Sequence, residues 1–132
     1  MLEAQLEKLK ERVGERRWGT EVTTAQMSNG GSLIKVIGVP ITGWNRPTAD
    51  VLFVAPPGYP NAAPDCFWVE PSNLRLANGS TPQASNDSNP IPGDTEVRST
   101  TWFSWHVQSW NPNTDSLVGY FHQILDRLRP AR

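Results

Sequence analysis

The sequence predicts an α+β protein in which a four-stranded antiparallel meander packs against one N-terminal and one C-terminal helix. Apolar residues repeat at helical spacing near both ends of the chain, and extended runs rich in threonine and valine lie between them, separated by short turns. The 12 prolines among 132 residues argue against a helical bundle. Because this length corresponds to one domain, we expect a single domain over residues 1–132.

The first helix is predicted over residues 2–14. Its apolar side chains lie at the spacing of a single helix face: Leu2, Leu6, Leu9 and Val13. Strong helix formers fill the positions between them, and Gly14 stands where helices commonly end.

Four extended runs follow, at residues 18–27, 33–39, 50–55 and 65–69. Residues 28–31 (Ser-Asn-Gly-Gly) have the composition of a tight turn between the first two runs. The third run is apolar almost throughout, so we expect both of its faces to be covered. Because short connections link consecutive runs, an antiparallel meander is predicted.

Residues 77–99 contain almost no large apolar side chain. They are therefore predicted to form a long polar loop that supplies no core element. Long loops in small domains are commonly functional or mobile.

The last helix is predicted to begin after Pro112, with Asn113 or Thr114 as its N-cap and Asp115 in its first turn. Its apolar stripe consists of Leu117, Tyr120, Phe121, Ile124, Leu125 and Leu128. Pro130 is expected to end it.

Composition excludes several classes of protein. The formal net charge of −1 argues against a strongly basic nucleic-acid-binding protein. The longest apolar run, residues 51–55, is far shorter than the ~18 residues that span a bilayer, and the N-terminus has no signal-peptide stretch. We therefore expect no membrane association and a cytoplasmic location.

Sites for cofactors and metals are not predicted. The chain has no glycine-rich phosphate loop, and no Ser/His/Asp triad can be identified from the sequence. One cysteine and two histidines are too few and too scattered for a zinc site, and Cys66 has no partner for an internal disulfide.

Two motif blocks resemble the ubiquitin-conjugating enzyme (UBC-like) family. Tyr59–Pro64 and Cys66–Val69 are similar to that family's Tyr-Pro segment and fourth strand, and Trp110-Asn111-Pro112 is similar to its tryptophan-proline pair before a helix. More narrowly, YPNAAPDCFWVEP and WFSWHVQSWNP resemble a bacterial branch, prokaryotic family E, which is associated with bacterial ubiquitin-like conjugation operons.

This resemblance implies a UBC-like fold that is truncated at its C-terminus, since the chain ends at Arg132. It implies two partners, a ubiquitin-like protein and a ubiquitin-activating-like enzyme, and a setting in antiphage defence. Members of the family use the first helix to dock on the activating enzyme. The alternative for a helix of this composition is a solvated charged face.

The position of the family's catalytic cysteine, counted back from Trp110, falls on Trp102. The one thiol, Cys66, instead falls in the predicted fourth strand beside Phe67 and Trp68, where packing in the core is the simpler interpretation. Two hypotheses follow. The favoured one is a binding or positioning module that lacks the usual catalytic cysteine, and the alternative is a transferase that uses Cys66 as its carrier.

Catalytic candidates are therefore Cys66 and His106, with Asn73 or Asn78 assisting in the transferase hypothesis. His106 lies near the point where the family builds its active site, and the alternative is a ring packed among tryptophans. His122 is expected at the surface.

Partner-binding candidates are Asn78, Trp105, Lys8, Arg12 and Arg16. Trp44 and Trp105 are considered as exposed binding residues, whereas Trp68 and Trp110 are expected to pack. Six tryptophans in a small β-rich chain also leave a carbohydrate-binding module as a distant alternative.

Overall fold

The computed structural model describes residues 2–18 and 21–132. Its helices and strands are α1 (Leu2–Glu15), β1 (Glu21–Gln26), β2 (Ser32–Pro40), β3 (Thr48–Ala55), β4 (Phe67–Glu70), β5 (Ser85–Asn86), β6 (Thr101–Phe103) and α2 (Leu117–Leu128). The predicted α+β class with a helix at each end is confirmed. Gly19 and Thr20, which belong to the first predicted strand, lie outside the described residues.

The strands form one antiparallel sheet in the order β1-β2-β3-β4-β6-β5. The predicted meander is present as β1 to β4, but the sheet has six strands, so the prediction of four was wrong. The two additional strands contain two and three residues, too few to show alternation in a sequence.

One face of the sheet packs against both helices. Phe67 of β4 stacks on Phe103 of β6 with ring centroids 4.9 Å apart. The helices contribute these buried side chains: Leu9, Val13, Leu117, Tyr120, Phe121, Ile124, Leu125 and Leu128. This larger core confirms the apolar stripes of both predicted helices.

The opposite face of the sheet carries a smaller apolar cluster, made of Met27, Leu33, Leu52, Cys66, Trp68 and Ile91. Ile91 lies in the segment 77–99, so the prediction that this segment supplies no core element was wrong. The indole Nε1 of Trp68 donates to the Asn89 carbonyl at 2.9 Å, and this bond holds the segment over the sheet. A single isoleucine among polar residues has no periodicity from which its burial can be predicted.

Asp87 attaches the same segment to the sheet at a second point. Its carboxylate accepts from the amide of Asn73 at 2.9 Å, the hydroxyl of Thr101 at 2.7 Å and the guanidinium of Arg75 at 2.6 Å. Burial alone raises the pKa of Asp87, but the hydrogen bonds from Arg75, Asn73 and Thr101 outweigh it, so that pKa is lowered from its ordinary value of 3.8.

The N-cap of α2 differs from the prediction. Ser116 is the cap, and its side chain accepts from the amide of Gly119 at 3.1 Å. Asn113 and Thr114 instead form a turn, and Asp115 lies before the helix, where it accepts from the amide of Asn111 at 2.6 Å. The predicted cap residues therefore belong to the preceding turn and do not cap the helix.

Trp44 is buried rather than exposed, with 6% of its surface accessible. Its Nε1 donates to the carbonyl of Leu128 at 2.9 Å, and its ring meets Phe103 edge-on at 6.1 Å. The loop that carries Trp44 folds against the end of α2, so this side chain does not serve a binding surface.

We predict that Asp87→Ala lowers the free energy of unfolding by about 2 kcal/mol at pH 7, because it leaves the buried Thr101 hydroxyl and the Asn73 amide without their acceptor. The lowered pKa means that the carboxylate stabilises the fold above about pH 4, and that this stabilisation is lost as the pH falls through the folded-state pKa. The difference between the proteins should therefore shrink in acid. Urea denaturation at pH 7 and in acid measures this difference in the free energy of unfolding. The exposed Asp126→Ala is the control, and equal losses in the two variants would contradict the assignment.

Candidate functional site

Three polar side chains meet beside the start of β4 and the end of β6. The Nδ1 atom of His106 lies 2.6 Å from a carboxylate oxygen of Asp65, and its Nε2 lies 3.2 Å from the hydroxyl of Ser104. The side chains of Asp65 and His106 are 66% and 64% exposed. A carboxylate, an imidazole and a hydroxyl are thus joined in one hydrogen-bonded chain at the surface.

Strand pairing brings these residues together. Phe67 pairs with Phe103 in the β4–β6 ladder, and just before β4 the amide of Cys66 donates to the carbonyl of Trp105 at 2.8 Å. Because side chains alternate along a strand, Phe103 faces the helices, and Ser104 is expected on the opposite face. Asp65 and His106 are 41 residues apart in the sequence, and the strand pairing brings their side chains into contact.

Cys66 precedes β4 by one residue instead of lying within the predicted strand. It has φ +61°, a left-handed conformation that costs a non-glycine residue about 1–2 kcal/mol. The buried hydroxyl of Tyr120 donates to the Cys66 carbonyl at 2.6 Å, which satisfies that carbonyl and fixes the turn into β4. Burial raises the pKa of Tyr120, with smaller contributions from Cys66 and Asp65, so its hydroxyl stays a donor.

The Cys66 side chain is buried, as predicted, with 7% of the residue exposed. It borders an apolar cavity of about 370 Å³ whose walls include Trp68 and Trp102. Its sulfur nevertheless lies within 4.8 Å of a ring nitrogen of His106 and a carboxylate oxygen of Asp65. The thiol is therefore next to the polar chain but packed on its apolar side.

Trp102, the position expected for the family's catalytic cysteine, lies in β6 directly opposite Trp68. Trp102 packs against the smaller apolar cluster that contains Cys66. The structure thus has a thiol on the same face of the sheet as the expected position, but just before the neighbouring strand β4.

Asp65, Cys66 and His106 are residue types that bind zinc, and the fold brings them together, whereas the second histidine, His122, lies apart on α2 beside Arg12. Two ligands of a tetrahedral zinc ion with bonds of about 2.0–2.1 Å lie about 3.3 Å apart. The 2.6 Å between Asp65 and His106 is instead the length of a hydrogen bond. As arranged, these two groups form a hydrogen bond.

The side chain of His106 is mostly exposed, so the alternative that its ring packs among tryptophans is wrong. Trp105 is half-buried against the larger core. It borders an open hollow of about 470 Å³ together with Ser104, His106, Gln108 and Gln123.

The other candidate residues are distributed over separate places. Lys8 and Arg12 border a groove of about 610 Å³ between α1 and residues 112–118. The guanidinium of Arg16 lies 5.6 Å from the ring centre of Trp18. Asn78 is exposed in a turn, where its side chain accepts from the amide of Ser80 at 2.9 Å.

Asn73 and Asn78 do not accompany the thiol. Asn73 lies beyond the other end of β4 from Cys66, and its amide is held by Asp87. Asn78 borders a different hollow, beside Arg129. The structure therefore places neither asparagine with Cys66 and His106.

Asp65 and Ser104 are the site residues that the sequence analysis missed. Ser104 and His106 are two residues apart, a spacing that places side chains on one face of an extended segment, and this signal was available. No sequence pattern indicated Asp65 as a site residue, because its proximity to His106 depends on a pairing between β4 and the short strand β6.

Comparison with known proteins gives one positive finding. The family model described as prokaryotic E2 family E matches residues 7–131, almost the whole chain. No curated protein and no solved structure matches. Within the described residues, no helix is long and apolar enough to cross a membrane.

His122 is half-buried on α2, with the guanidinium of Arg12 3.4 Å from its Nε2. Burial lowers the pKa of His122 from 6.5, and the positive charges of Arg12 and Arg16 lower it further.

We predict that this lowered pKa makes the fold less stable in mild acid. As the pH falls below about 6.5 the unfolded chain takes up the proton first, so the free energy of unfolding declines until the folded-state pKa is passed. In His122→Gln that part of the decline should be absent, and in Arg12→Gln it should be smaller. Urea denaturation between pH 7.5 and pH 5 measures the slope. An unchanged slope in His122→Gln would show that this histidine does not cause it.

Proposed function

Because this chain belongs to prokaryotic E2 family E, we propose that it binds and positions a ubiquitin-like protein or its activating enzyme without carrying the acyl group on sulfur. The family match supports a place in a ubiquitin-like conjugation pathway. The observation that supports a binding role is the state of the thiol: Trp102 occupies the expected position, and Cys66 is only 7% exposed.

Burial of Cys66 argues against acyl carriage for a geometric reason. A thioester forms only when the donor's carbonyl carbon comes within about 3–3.5 Å of the attacking atom. Only 7% of Cys66 is exposed, and Trp68 and Trp102 line the cavity beside it, so a donor has to enter between these side chains to reach the sulfur. Such a narrow approach makes the required distance harder to reach and slows the step.

The groove beside α1 is the surface that we propose for docking of the activating enzyme. Lys8 and Arg12 border it and are exposed, with Asp115 on the opposite wall. The ion pair from Arg12 to Glu15 spans 3.6 Å between largely exposed side chains, so it is weak and can be exchanged for one with a partner. The resemblance of α1 to the docking helix of conjugating enzymes gives the same assignment.

A transferase that uses Cys66 is the second candidate, and one observation favours it. The sulfur, a ring nitrogen of His106 and a carboxylate oxygen of Asp65 lie within 4.8 Å of one another, which is the arrangement of a nucleophile, its base and an orienting carboxylate. This function requires that an acyl donor reach the sulfur through the cavity of about 370 Å³ that Cys66 borders.

The two candidates are distinguished by mixing the protein with ATP, the activating enzyme and the ubiquitin-like protein from its own operon. We predict a complex whose Kd is the same for wild type and Cys66→Ala, and no adduct that dithiothreitol releases. An adduct that dithiothreitol releases, present in wild type and lost in Cys66→Ala, would contradict the binding role and establish the transferase.

The docking surface is tested by charge reversal on α1. We predict that Lys8→Glu combined with Arg12→Glu weakens binding of the activating enzyme about tenfold, close to 1.4 kcal/mol, mainly through slower association. Lys10→Glu, on the same helix but away from the groove, is the matched control and should change Kd less than about twofold. Calorimetry and stopped-flow mixing measure both. Equal effects of the two changes would place the docking surface elsewhere.

A further inference from the structure

We propose that Ser104, His106 and Asp65 form a hydrolytic site for ester and thioester bonds, an activity that goes beyond partner binding. Ser104 is the nucleophile, His106 the general base, and Asp65 the residue that positions His106. The proposal depends on the hydrogen-bonded chain of these side chains and on the open hollow beside it.

The distances of the two hydrogen bonds are compatible with the direction that this chemistry needs, in the tautomer with the proton on Nδ1 of His106. Asp65 accepts the Nδ1–H of His106 at 2.6 Å, which leaves the Nε2 lone pair for the hydroxyl of Ser104 at 3.2 Å. A general base acts on a proton over about 2.6–3.2 Å, so both links are within reach. The orienting carboxylate keeps the imidazole in the one tautomer that can accept the serine proton.

Exposure distinguishes Ser104 from Cys66. Ser104 is half-buried and borders the open hollow of about 470 Å³ together with the exposed His106, whereas only 7% of Cys66 is exposed. The side-chain amides of Gln108 and Gln123 border the same hollow and can donate hydrogen bonds to a developing oxyanion. Because His106 and Asp65 are mostly exposed, water screens their interaction, and we expect modest turnover.

The reaction balances with water as the only co-substrate. The Ser104 hydroxyl attacks the acyl carbonyl while its proton moves to Nε2 of His106, and the bond to the thiolate or alkoxide breaks as that proton is passed to the leaving group. Water then attacks the serine ester, again with proton transfer to His106, and the returned proton restores the hydroxyl. The products are a carboxylic acid and a thiol or an alcohol.

Ester and thioester substrates fit the site better than amides. A thiolate is a good leaving group that needs little protonation, so a solvent-screened imidazole is sufficient. The polar rim of Gln108 and Gln123 favours an acyl group with hydrogen-bonding groups of its own, such as the end of a peptide. Thioester-linked peptide ends are therefore the substrate class that we assign.

The site is tested on the full chain with a fluorophosphonate probe and two small substrates, p-nitrophenyl acetate and S-acetyl-N-acetylcysteamine. We expect one phosphonyl group on Ser104 in intact-protein and peptide mass spectra, and hydrolysis of both substrates. Ser104→Ala should lose labelling and turnover. Ser80→Ala, at an exposed turn outside the hollow, and Cys66→Ala should retain both.

Two further variants distinguish a catalytic role of His106 and Asp65 from a merely structural one. His106→Gln should lower kcat about a hundredfold, which is the low end of general-base contributions. Asp65→Asn should lower kcat while leaving KM unchanged, because Asp65 acts through His106 and does not touch the substrate. Circular dichroism and melting curves establish that the variants are folded.

The proposal is overturned if wild type is not labelled, or if Ser104→Ala keeps wild-type labelling or turnover. Hydrolysis that survives in Ser104→Ala but is lost in Cys66→Ala would assign the nucleophile to sulfur and equally overturn it.

Discussion

The antiparallel pairing of β4 with β6 determines both the core and the candidate site. On the helix side it stacks Phe67 on Phe103, and on the other side it sets Trp68 against Trp102. Extending the same pairing beyond the strands brings Asp65 and Cys66 next to His106. Aromatic pairs that stabilise the sheet therefore also fix the position of the polar side chains, since both belong to one ladder.

The segment 77–99 divides the reactive groups into a buried set and an exposed set. Asp87 and the bond from Trp68 to Asn89 attach this segment to the sheet, and Ile91 completes the apolar cluster that contains the thiol. The imidazole stays open to water. The chain thus keeps its thiol mostly buried and presents to solvent an imidazole that is hydrogen-bonded to a hydroxyl.

Much of the fold could be predicted from the sequence, because both helices carry periodic apolar stripes and the first four strands are extended runs separated by turn residues. The burial of Ile91 could not be predicted, because one apolar residue in a polar segment shows no periodicity. The α2 cap was misplaced because Asn113 and Ser116 are equally good cap residues, and only the path of the chain selects Ser116. Asp65 could not be placed at the site, because its contact with His106 arises from long-range pairing.

Reactivity of the lone thiol tests the account most directly, since the account requires Cys66 to be inaccessible in the folded protein. Reaction of the native chain with 5,5′-dithiobis(2-nitrobenzoic acid) at neutral pH, compared with the chain in 8 M urea, measures that access. The account predicts reaction at least about a hundredfold slower in the native state, because only 7% of Cys66 is exposed there. Equal rates in the two states would contradict it.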